Sequence, residues 1–104
     1  MKEIKAVIQA FKVDAVLHAL HTIENLPVTV VSEARSIDTS HGGSLEPRLS
    51  VIIELMVPDT QVAEVVDAIE KASHTGNVGD GRIFVIPIDE CVLIRTGERG
   101  ETAR

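Results

Sequence analysis

Residues 49–72, LSVIIELMVPDTQVAEVVDAIEKA, change their hydrophobic period in the middle, and that change decides the fold. Over residues 49–57, Leu49, Val51, Ile53, Leu55 and Val57 recur at every second position, the repeat of a strand with one face buried. Pro58-Asp59 breaks the run, and Asp59 is placed to cap a helix. Val62, Val65, Val66, Ile69 and Ala72 then recur at helical spacing, and Gly76 closes the helix. The same succession stands upstream. Residues 3–11 alternate, with Ile4, Ala6, Ile8 and Ala10 on one side and Lys5, Val7 and Gln9 on the other. From Asp14, read as an N-cap, Val13, Val16, Leu17, Leu20 and Ile23 share a helical face that ends at Asn25-Leu26-Pro27. Residues 28–35 and 82–88 read as two more strands, and 91–95 as a short fifth segment that puts Arg95 at a strand end.

The order β-α-β-loop-β-α-β predicts an α+β, ferredoxin-like βαββαβ sandwich. One domain is expected over residues 1–96, with a loose polar tail over 97–104. Residues 36–48 form a polar connection centred on His41-Gly42-Gly43-Ser44, long enough to be a functional loop. Two helices cover only one face of a four-stranded sheet. The other face is expected to carry Val7, Val31, Ile52, Met56 and one of Phe84 and Ile86, so it is apolar too. An apolar face without helices of its own calls for other copies of the chain.

Composition excludes several classes. The chain has 104 residues, 10 Lys and Arg against 16 Asp and Glu, and a formal charge of −6, with no basic cluster to hold a nucleic acid backbone. Its only aromatics are Phe11 and Phe84, too few for stacking on bases. No apolar run is long enough to span a membrane, and the first residues open a strand rather than a signal peptide. The single Cys91, read as a small buried residue, allows no internal disulfide. A cytoplasmic protein is expected.

One segment carries candidate chemistry. Thr75-Gly76-Asn77-Val78-Gly79-Asp80-Gly81-Arg82 joins helix to strand, and its glycines leave backbone N–H groups uncrowded for an anion. Arg82 adds a planar fork that matches phosphate oxygens. The same glycines also suit a plain connector, and spacing does not separate the two readings. His18 and His21 stand i,i+3 on the first helix without a third metal ligand, and Asp38, His41 and Glu46 in the loop read as solvated. His41-Gly42-Gly43-Ser44 has no partner nucleophile motif. No nucleophile–base pair or carboxylate dyad stands out, so a non-enzyme is expected.

The stretch Thr75-Gly76-Asn77-Val78-Gly79-Asp80-Gly81-Arg82-Ile83-Phe84-Val85 resembles the second signature of the PII signal-transduction family, T-x-x-x-G-D-G-[KR]-[IV]-F. Supporting stretches are MKEIKAVIQAF at residues 1–11, Val57-Pro58-Asp59, and Ile94-Arg95-Thr96-Gly97-Glu98. The resemblance implies a compact homotrimer with adenine nucleotides in clefts between subunits, and a mobile T-loop that touches transporters, enzymes or regulators. Carried over by position, Gly79, Asp80, Gly81 and Arg82 would wrap the phosphates and Arg95 would reach them, while Val7, Glu54 and Met56 would lie near the base. Ser36, Asp38, His41, Gly42, Gly43 and Arg48 would belong to the regulatory loop.

The departures shape the ligand. The family's G-F-G-R run is Ser36-Ile37-Asp38-Thr39 here, the first arginine of its R-x-R-T-G is Leu93, and Val30 stands where a threonine approaches the base. The loop is shorter than in nitrogen-regulatory members, and with no tyrosine in the chain it has no acceptor for uridylylation. Fewer cations suit fewer phosphates, so the resemblance implies ADP or AMP rather than Mg-ATP and weakens the 2-oxoglutarate site. Two divergent subgroups look similar: members linked to inorganic-carbon uptake, responsive to adenylates and bicarbonate, and members linked to heavy-metal efflux. The carbon-linked reading is preferred, because a rearranged loop base suits bicarbonate. A trimeric interaction module without ligand is the remaining alternative.

Overall fold

The computed structural model describes residues 1–38 and 45–103; His41, Gly42 and Gly43 of the expected regulatory loop lie outside them. The chain forms β1 (Lys2–Gln9), α1 (Val13–His21), β2 (Val30–Ser36), β3 (Arg48–Val57), α2 (Val62–Ser73) and β4 (Gly81–Pro87). The sheet runs β2-β3-β1-β4 with every neighbouring pair antiparallel, the ferredoxin-like arrangement.

The alternation in β1 and β3 sets the core. Ile4, Ala6 and Ile8 of β1 and Val51, Ile53, Leu55 and Val57 of β3 face the helices, which contribute Val16, Leu20, Val65 and Ile69. All are aliphatic and buried, so this side of the sheet is held by the hydrophobic effect and by close packing, without buried charge.

Several expectations need correction. Neither Asp14 nor Asp59 caps a helix. Each helix is entered through one turn of 3₁₀ helix, with Lys12 and Gln61 at the N-caps and no side-chain cap. Asp59 instead takes the N-terminal amine at 2.5 Å and Lys2 Nζ at 3.2 Å. Val31 does not lie on the open face: it pairs with Ile53 on the helix side, and Val30, opposite Glu54, takes the open position. Phe84 and Ile86 both lie on the open face, opposite Lys5 and Glu3. Residues 91–95 add no fifth strand. Residues 91–93 form one arm, and 94–96 the turn, of a small hairpin closed by a bridge between Val92 and Arg99, with Leu93 N–H donating to Glu98 C=O at 2.8 Å. The expected loose tail is therefore partly structured, since residues 98–99 are the returning arm and Gly100–Ala103 a 3₁₀ turn that buries Ala103. Cys91 is only half-buried. Ser36 and Arg48 sit in strands, paired with each other, at the root of the loop rather than within it.

Candidate functional site

Four strand ends meet at one end of the sheet. β1 finishes at Gln9, β4 starts at Gly81, β3 starts at Arg48 and β2 finishes at Ser36. Ile8 stands opposite Gly81, Gln9 opposite Ser50, and Ser36 opposite Arg48. Side chains opposite one another share a face, so Val7, Arg82, Ile52, Ser50, Ser36 and Arg48 all belong to the open face. The Ser36 and Ser50 hydroxyls hydrogen-bond at 2.7 Å and tie β2 to β3 there.

The connection from α2 to β4 arrives at this end, and Asp80 organises it. Its carboxylate accepts the Thr75 N–H at 2.8 Å, the Gly76 N–H at 2.9 Å, the Gln9 side-chain amide at 3.1 Å and the Thr75 hydroxyl. His74 Nδ1 lies 3.8 Å away. The Thr75 hydroxyl first, then the backbone N–H groups of Thr75 and Gly76, hold the Asp80 carboxyl below the ordinary carboxylate range. Asp80 therefore faces into the loop and holds its shape. Thr75 Oγ1 in turn accepts the Asn77 N–H at 3.1 Å. The N–H groups of Val78 and Gly79 are left without a partner among the described residues.

Two glycines are required by this geometry. A Cβ on Gly81 would stand 1.9 Å from the Val7 carbonyl oxygen, so only glycine lets β4 close on β1. Gly79 has φ +99°, a region L side chains rarely adopt, and a Cβ there would stand 2.9 Å from Arg48 Nη1. The Arg48 guanidinium thus lies against the loop. Neither Arg48 nor Arg82 has a hydrogen bond or ion pair among the described residues. Partnerless N–H donors with the Arg48 guanidinium beside them could receive an oxyanion, and Arg82 leaves the loop on the neighbouring strand end. On the helix side of the loop, a cavity of about 370 Å³ between α2 and β4 is lined by Val66, Glu70, Ser73, His74, Asp80 and Arg82 among others. A larger groove of about 1020 Å³ runs between the helices, where Glu24, Glu64 and Asp67 outnumber Lys71 and disfavour anions.

The expected site residues separate into two groups. Gly79, Asp80, Gly81 and Arg82 form the loop and its exit. Val7 lies between Arg82 and Ile52, and Glu54 and Met56 continue down the same face. There burial first, then the neighbouring Glu54 carboxyl, push the Glu3 carboxyl up. Arg95 stands apart in the turn of the hairpin, exposed and without a hydrogen bond or ion pair among the described residues. Asp38 is exposed beyond β2. Sequence reasoning missed Gln9, and it named Thr75 in the anion segment and Arg48 in the regulatory loop without the contacts they make here. Gln9 had a readable signal, being a polar residue at the last position of a strand. Arg48 had none, because only the sheet brings it to Gly79.

A ferredoxin-like βαββαβ subunit with a glycine-rich connection between α2 and β4 defines the class of fold. Residues 1–98 match the family model described as "Nitrogen regulatory protein P-II". The nitrogen regulatory protein P-II of Azospirillum brasilense is 39% identical over 112 aligned positions, covering 99% of both chains. That of Rhodospirillum rubrum is 40% identical with the same coverage. A crystal structure of Arabidopsis thaliana PII bound to citrate superposes with a TM-score of 0.85 at 32% identity, over 99% of this chain and 91% of that one. The chain belongs to the P-II family of nitrogen regulatory proteins. No helix among the described residues is long and apolar enough to cross a membrane.

Proposed function

We propose that this P-II family chain is an adenylate-responsive regulator that binds ADP or AMP at subunit interfaces of a homotrimer. Bicarbonate is its co-ligand, and an inorganic-carbon transporter or its regulatory protein is its partner. The observation that carries the reading is the loop at residues 75–82. Asp80 holds it open, and its partnerless N–H groups and the Arg82 guanidinium border the open face. The citrate held by the Arabidopsis relative is likewise a multiply charged anion. The trimer is supported by the open face itself. Val7, Val30, Ile52, Met56, Phe84 and Ile86 share it, with no helix among the described residues to cover them. The Leu93 side chain offers no charge to a third phosphate. Losing one charge-assisted hydrogen bond is worth about 1.5–3 kcal/mol, roughly a 10- to 150-fold loss of affinity.

Calorimetry of the wild-type chain with ADP, AMP and Mg-ATP tests the reading. ADP or AMP binds at least as tightly as ATP, and Arg82→Ala weakens whichever binds by at least about tenfold. Much tighter binding of Mg-ATP, or no effect of Arg82→Ala, overturns the ligand assignment. A chain that binds no nucleotide is instead an interaction module whose glycines only turn the backbone.

A further inference from the structure

We propose that Arg48 is the second phosphate-binding cation of this site, clamping the ligand against the Gly79 amide from the start of β3. The inference rests on the nucleotide reading above and adds a ligand residue that reading did not contain. Three observations carry it. The Arg48 guanidinium lies against Gly79, close enough that a Cβ on Gly79 would stand 2.9 Å from Nη1. Arg48 and Arg82 extend from the same face at the same end of the sheet, one on β3 and one on β4, with β1 between them. Both guanidinium groups are exposed and have no carboxylate partner among the described residues.

The chemistry comes from charge. The Arg48 guanidinium beside the unpaired backbone N–H groups of the loop is positive charge with no anion of its own, and an anion held there removes that cost. Asp80 does not serve as that anion, because Thr75, Gly76 and Gln9 already occupy its carboxylate. Arg48 is also the first residue of β3, paired with Ser36 across the root of the connecting loop. An anion held by Arg48 therefore fixes both strand ends from which the loop departs. Arg48 thus stands where it can offset the charge missing at Leu93.

The test is calorimetry of the wild type, Arg48→Ala and Arg48→Lys with ADP and with adenosine, with Arg82→Ala as reference. Arg48→Ala weakens ADP by at least about tenfold and leaves adenosine within about twofold, and Arg48→Lys, which keeps a point charge but not the fork, falls between. A circular-dichroism melt matching the wild type shows that the variants are folded. ADP affinity unchanged in Arg48→Ala but lost in Arg82→Ala overturns the part given to Arg48 and leaves the nucleotide reading standing. Equal losses for ADP and adenosine also overturn it, since they mean a structural role. A wild type that binds no ADP overturns both.

Discussion

Ile53 and Ile52 are neighbours in β3, yet they belong to opposite situations. Ile53 is fully buried beneath the helices, among aliphatic side chains only. Ile52 looks the other way, opposite Val7 and Ser32, on a face where apolar residues are interleaved with Glu3, Lys5, Glu54, Arg48 and Arg82. One side of the sheet is completed by the subunit's own helices. The other mixes apolar residues with charges and is left uncovered by the helices of the described residues. On the reading proposed above, folding ends on the first side and assembly begins on the second.

The largest effect expected is on the closed side. Ile53→Asp places a charge in an aliphatic core with no partner, at a cost beyond about 4–5 kcal/mol, and urea titration should find the chain largely unfolded. Moving the same charge by one residue separates the two faces. Ile52→Asp should leave the subunit folded by circular dichroism while light scattering shows the assembly falling to monomers, because an unpaired charge in a dry interface costs several kcal/mol. If Ile52→Asp stays assembled, the open face is not the interface.

Asp80→Asn gives the next effect, confined to the loop. The Asp80 carboxyl is held below its ordinary value of 3.8, so its contribution is present above that pH and lost only as pH falls through the lower folded value. Amide exchange at Thr75 and Gly76 should accelerate in Asp80→Asn throughout the neutral range, with the core unchanged. The smallest effect is on the open face. The Glu3 carboxyl is raised above 4.5, so the folded state loses stability as pH rises through that raised value. Glu3→Gln should remove this dependence, and its urea midpoint should gain on the wild type at neutral pH but not below 4.5.

The fold was legible because the strongest strand and helix keep strict periods over residues 49–72, and the first strand and helix repeat them. The parts that were not legible have physical causes. Val30 and Val31 are both β-branched and both exposed, so local pattern carries no parity; the register with β3 assigns them. β2 is an edge strand whose helix-side positions continue as Glu33 and Arg35, which blurs its buried face further. Asp14 and Asp59 looked like caps because both precede apolar periodicity, but a 3₁₀ turn starts each helix without a side-chain cap. In the candidate site, spacing left Gly79 to Arg82 open between an anion loop and a plain connector, and only the resemblance to a family signature favoured the first. The approach of Arg48 to Gly79 arises only when β3 and β4 flank β1.

Native mass spectrometry of the chain titrated with ADP asks most directly whether other subunits and the ligand together complete the open face of the sheet. Assemblies of three subunits that take up one ADP per interface are expected, with Ile52→Asp giving monomers that bind ADP weakly or not at all. A wild-type monomer that binds ADP as tightly as any assembly would contradict that joint completion.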